Sequence, residues 1–177
     1  MNLRHVPNAL SVFRLLLAIP MIWLVTSEAA VVWVAALCFL AYLTDIADGF
    51  IARRYAGTSD SGKIIDPLAD KVFVIGFAAA LLITGAIPVW FAVLVAARDI
   101  IIFSGGVYLK KRTGVLVQSN MAGKLAVSFI GLALIAFYAH GEIPAEVVTG
   151  MAAAAVVGIA VSLGVYAHRF FTLIHSS

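Results

Sequence analysis

Charge is scarce in this sequence. Its 177 residues hold 12 Lys and Arg and 9 Asp and Glu, 12% of the chain, about half the share of an ordinary soluble domain. Cysteine is nearly absent: Cys38 stands alone in an apolar run, so an internal disulfide is excluded and the residue reads as small packing. Strict alternation of apolar and polar positions is also missing, which argues against half-buried strands. What is abundant is hydrophobicity, 63% of residues at a mean hydropathy of +1.08. A chain of this length has too little interior to hide that much apolar surface from water. The bilayer is its natural solvent, and residues 1–177 read as a single membrane domain with no nucleic-acid partner.

A helix needs about 20 apolar residues to cross the hydrocarbon layer. Six such stretches are expected: Ala9–Thr26, Ala29–Phe50, Pro67–Thr84, Ile87–Tyr108, Met121–Ala139 and Pro144–Tyr166. Lipid offers no partners to an open backbone, so the expected fold is all-α, a bundle of six transmembrane helices. The first stretch is interrupted by Arg14 and lacks a small-residue cleavage site, and so reads as a retained span. Turn chemistry separates the others: Thr84-Gly85 before Pro88, His140-Gly141-Glu142 before Pro144, and the polar loop from Gly57 to Gly62. Pro20 lies inside the first span, where a kink is expected.

Six spans place Arg4, Arg53, Arg54, Lys63, Lys110, Lys111, Arg112, Lys124 and Arg169 on one side. The opposite connections, near Glu28, near Gly85 and from His140 to Glu146, carry no Lys or Arg. Positive charge stays cytoplasmic, so both termini and the 51–66 loop are expected there. Trp23, Trp33 and Trp90 fall toward the outer half and fit an interfacial belt.

Charges inside spans are costly and usually functional. Asp45 and Asp48 are three residues apart near the cytoplasmic end of the second span; Asp66 and Asp70 are four apart at the start of the third. Each spacing puts two side chains on one helix face. A short connection would let the four carboxylates meet at one depth, where their mutual repulsion calls for positive charge. Structural pairing with Arg53, Lys63 and Lys71 supplies three cations for four anions, an expensive balance when buried. Two divalent ions would balance the set. Oxygen donors select Mg²⁺, Mn²⁺ or Ca²⁺, and paired metals serve displacement at phosphorus. Gly49 and Ala52 remove bulk beside the acids, Gly62 permits close backbone approach, and Arg53 can pair with a phosphate.

These residues, Asp45-x2-Asp48-Gly49-x2-Ala52-Arg53-x8-Gly62-x3-Asp66-x3-Asp70, match at every fixed position the signature of the CDP-alcohol phosphatidyltransferases. The opening Pro7-Asn8-x2-Ser11-x2-Arg14 and the six spans resemble that family's bacterial members. The resemblance implies transfer of a phosphatidyl group from CDP-diacylglycerol to an alcohol with release of CMP. It implies that Asp45, Asp48, Asp66 and Asp70 hold two cations, Mg²⁺ or Mn²⁺, and that Asp70 also takes the proton of the acceptor hydroxyl. It further implies that Gly49, Ala52, Arg53 and Gly62 line the nucleotide site, that the protein is a homodimer, and that it sits in the bacterial inner membrane with its site facing the cytoplasm. Asn8, Ser11 and Arg14 share a face near the cytoplasmic surface, read either as helix capping by Asn8 or Ser11 or as a nucleotide contact.

Arg98, near the middle of the fourth span, needs a partner: Asp99, a motif aspartate, or an anionic group of the acceptor. Lys124 and the Lys110-Lys111-Arg112 cluster add positive charge on the same side, although such a cluster also serves topology and headgroup contact. Arg98, Lys124 and Arg112 are thus the candidate acceptor ligands, and glycerol 3-phosphate is the favoured acceptor. Ala97-Arg98-Asp99 with Tyr108 and Arg112-Thr113 looks closer to the cardiolipin synthases of the same superfamily, whose acceptor is phosphatidylglycerol. A divalent-cation transporter would also carry acids in helices, but near the midplane and with repeated halves.

Overall fold

The apolar stretches fold as helices because a continuous helix satisfies its own backbone in the absence of water. The computed structural model describes residues 6–51, 62–113 and 121–175, with side chains over 9–47, 71–112 and 121–174. Among the described residues the elements are α1 (Val6–Thr26), α2 (Val31–Ile51), α3 (Gly62–Ile83), α4 (Val89–Thr113), α5 (Met121–Tyr138) and α6 (Ala145–His175). Four of them contain stretches long and apolar enough to cross a membrane: Ala9–Thr26, Val89–Arg112, Met121–Tyr138 and Ala145–Ile174. Within α2 and α3 the described apolar stretches are shorter, Val31–Ala47 and Lys71–Ile83.

The chain forms two compact units, Met1–Ala86 and Ile87–Ser177. In the first, α1 packs against both α2 and α3. Met21, Val25, Val34 and Leu81 are fully buried there. In the second, α6 packs against α5 and α4. Phe91 is fully buried and meets Phe137 edge-on, with ring centroids 5.1 Å apart. Small residues set the close approaches. A Cβ on Gly158 would come within 3.3 Å of the Ala126 backbone, the kind of contact that holds helices together where lipid removes the hydrophobic drive. The outward faces carry Ile19, Ile83, Phe103, Trp23, Trp33 and Trp90, all exposed, as befits a protein solvated by lipid.

The ends differ from the sequence expectation in an instructive way. α3 begins at Gly62, five residues before Pro67; the proline is absorbed early in the helix at the loss of one backbone donor. α4 runs on to Thr113 with Lys110, Lys111 and Arg112 in its last turn, where cations complement the helix dipole. α6 continues to His175. Hydropathy marks where lipid ends, and the backbone does not stop there. α1 runs through Pro20 as one helix. Two connections close with left-handed residues, Glu28 at φ 52° and Gly85 at φ 74°. The Ala29 amide donates to the Leu24 carbonyl at 2.9 Å and that of Ala86 to Leu81 at 2.8 Å, which satisfies the last helical carbonyls.

Candidate functional site

α2 ends with the segment that carries Asp45 and Asp48, and α3 opens with the one that carries Asp66 and Asp70. The backbones of all four are helical. The Asp45 side chain is described; those of Asp48, Asp66 and Asp70 lie outside the described residues. So do the nucleotide-site candidates: Ala52 and Arg53 altogether, Asn8 and the signature glycines Gly49 and Gly62 beyond their helical backbones.

Asp45 sits two residues before the end of the apolar stretch of α2, with its side chain 53% accessible. Its Oδ1 is 3.4 Å from Nη1 of Arg14 on α1. Arg14 is itself buried, at 3% accessibility. The same guanidinium donates through Nε to the Thr44 hydroxyl at 3.4 Å, while that hydroxyl donates to the Ala41 carbonyl at 2.7 Å. Ser11, one turn earlier on α1, is fully buried. α1 thus brings a buried cation to the aspartate-bearing end of α2 and packs against α3 as well. The sequence offers Arg53, Lys63 and Lys71 as cations for the aspartates and groups Arg14 with Asn8 and Ser11 instead; the structure sets Arg14 beside Asp45. The signal was present: an arginine inside an apolar span must face charge or water.

Among the described residues no three possible metal ligands gather; of the four signature carboxylates Asp45 alone has a described side chain, and a carboxylate is the donor type that a hard divalent cation takes. Asp45 offers carboxylate oxygen that is half open to the surroundings, and its contact with Arg14 is longer than the roughly 2.7–2.9 Å of a tight charge-assisted bond, so its oxygens remain available as ligands.

The acceptor candidates lie in the second unit. Arg98, buried at 8% accessibility, ties three helices together. Its Nη1 pairs with Asp99 Oδ1 at 2.6 Å, and its Nη2 donates to Ser162 Oγ at 3.2 Å and to the Gly123 carbonyl at 3.4 Å. Its Nε has no hydrogen-bond partner among the described residues, nor has the buried Tyr166 hydroxyl. Lys124 follows Gly123 in α5 and is exposed. Arg112 is also exposed. It donates to the Tyr108 hydroxyl at 2.9 Å, whose ring stacks on Phe170 with centroids 6.0 Å apart. Ser162 is the Arg98 partner that sequence reading passes over; a lone serine in an apolar span gives no periodic signal.

The sequence model described as CDP-alcohol phosphatidyltransferase matches residues 4–172. A CDP-diacylglycerol–glycerol-3-phosphate 3-phosphatidyltransferase of Aquifex aeolicus is 37% identical over 136 residues, 74% of each chain. A CMP-forming cardiolipin synthase of Rattus norvegicus is 36% identical over 109 residues, 61% of this chain and 36% of the relative. A cardiolipin synthase and mitochondrial hydrolase fusion protein of Schizosaccharomyces pombe is 33% identical over 114 residues, 63% of this chain and 19% of the relative.

Proposed function

The chain belongs to the CDP-alcohol phosphatidyltransferase family of enzymes, and we propose that it transfers a phosphatidyl group from CDP-diacylglycerol to glycerol 3-phosphate, releasing CMP. The observation that carries this reading is the full aspartate signature, split between the end of α2 and the start of α3, inside the matched region. The name of the Aquifex relative supports the acceptor.

On this reading Asp45, Asp48, Asp66 and Asp70 would hold two cations, Mg²⁺ or Mn²⁺. Bound there, the ions supply charge stabilisation for the pyrophosphate as it divides. Asn8, Ser11, Gly49, Ala52, Arg53 and Gly62 hold the cytidine nucleotide. Asp70 accepts the proton of the acceptor hydroxyl. The freed oxygen bonds to the lipid-side phosphorus, the bond from that phosphorus to the bridging oxygen breaks, and CMP departs with the electron pair. Arg98, Lys124 and Arg112 attract the acceptor's phosphate and orient its hydroxyl. The enzyme is a homodimer of single-domain chains with six spans each in the bacterial inner membrane. Its termini and site face the cytoplasm, where glycerol 3-phosphate is dissolved and the CDP headgroup of the lipid substrate is in water.

A second reading, cardiolipin synthase with phosphatidylglycerol as acceptor, is favoured by the Arg98–Asp99 pair and the Arg112–Tyr108 bond and by the rat relative. Parallel incubations decide between them. Purified protein with CDP-diacylglycerol and Mg²⁺ is offered radiolabelled glycerol 3-phosphate, phosphatidylglycerol, inositol phosphate and serine. Label should enter phosphatidylglycerophosphate; label in cardiolipin alone would replace the acceptor, and no labelled lipid at all would overturn the reading.

A further inference from the structure

On the proposed reading, the four carboxylates carried by the end of α2 and the start of α3 repel one another whenever cations are absent, and a positive charge in the fold would offset that repulsion. Arg14 is placed for this. It is almost fully buried in α1, its Nη1 lies 3.4 Å from Asp45 Oδ1, and its Nε is steadied by Thr44. α1 packs against both helices that carry the acids. Removing a buried arginine from water is costly, and an apolar packing residue would serve α1 better at that position. Toward Asp45 the guanidinium stands at 3.4 Å, longer than the roughly 2.8 Å of a tight charge-assisted hydrogen bond, so on that carboxylate it acts mainly through its charge.

We propose that Arg14 is a resident countercharge of the carboxylate centre, which stabilises the acids when no cation is bound and weakens cation binding when one is. The inference rests on the reading of Asp45 as a cation ligand. It deepens that reading by giving the site a built-in limit on affinity, so that ions exchange instead of being trapped. The sign is set by Coulomb's law: a positive charge held a few ångströms from a divalent ion opposes it, by about tenfold in affinity even at the dielectric of water.

Free Mn²⁺ counted by its electron spin resonance signal, in titrations of purified detergent-solubilised protein without substrate, reads this directly. R14Q should bind Mn²⁺ about tenfold more tightly than wild type, and its cation-free form should melt at a lower temperature. R14K keeps the charge and loses the fork, so it should bind Mn²⁺ within about twofold of wild type, as should T44V. Unchanged or weaker binding in R14Q overturns the proposal. If R14Q does not fold, weaker binding in R14K overturns it just as well, because that result assigns Arg14 an anchoring role. Wild-type protein that binds no Mn²⁺ overturns both this inference and the cation site itself, whereas normal binding with no change in R14Q overturns the countercharge alone.

Discussion

Arg98 shows what a single residue can and cannot disclose in advance. Its place inside an apolar span announces that it needs partners, and Asp99 beside it was an evident one. Ser162 and the Gly123 carbonyl were not legible, because they come from helices whose packing no local pattern specifies. With both terminal nitrogens engaged and Nε without a partner among the described residues, the guanidinium is held still with one donor in reserve. Replacing Arg98 by Ala should raise KM for the anionic acceptor ten- to a hundredfold, the range of a lost charged hydrogen bond, and leave KM for CDP-diacylglycerol within about threefold. Steady-state kinetics with each substrate varied in turn checks this, and equal effects on both would make Arg98 a purely structural tie. Glu28 offers a stability test at the same scale. A left-handed conformation costs a non-glycine residue about 1 kcal/mol, partly offset in glycine by unfolded-state freedom. Glu28→Gly should therefore stabilise by roughly 0.5 kcal/mol, seen as a rise of about 1–2 °C in the melting temperature in detergent.

At the scale of elements, hydropathy located all six helices but misplaced several of their ends. The polar tails of α4 and α6 continue as helix because lysine, arginine and histidine are compatible with it; lipid contact ends before the hydrogen-bond ladder does. Helix pairing was written less clearly. The sequence placed the acids on the second and third spans, and only packing shows that α1 leans on both and delivers Arg14 to Asp45. The α4–α6 seam depends on one glycine: a Cβ at position 105 would lie 2.6 Å from the Tyr166 hydroxyl and 3.0 Å from its ring. Gly105→Ala should cost about 1–3 kcal/mol, the usual penalty for overpacking. Tyr166→Phe in the same chain should restore part of that, since it removes the atom in closest contact. Thermal unfolding of the single and double variants reads both effects, and a neutral Gly105→Ala would show that the seam can open without penalty.

For the whole molecule, composition alone forced a lipid-solvated helical protein, and a signature of eight fixed residues pointed to the family that comparison then showed. The detailed geometry of the acids was beyond reach of the sequence, since spacing fixes which face of a helix a residue occupies and not how two helices bring their faces together. The account stands on metal-dependent chemistry at those acids, and CMP release tests it most directly. Protein stripped of cations with EDTA should release no CMP from CDP-diacylglycerol in the presence of glycerol 3-phosphate and phosphatidylglycerol together. Added Mg²⁺ or Mn²⁺ should restore release in the wild type, while Asp70→Asn, still folded, should stay at least about a thousandfold below it, a loss within the range of general-base catalysis. CMP release that persists without cations, or that survives intact in Asp70→Asn, would contradict it.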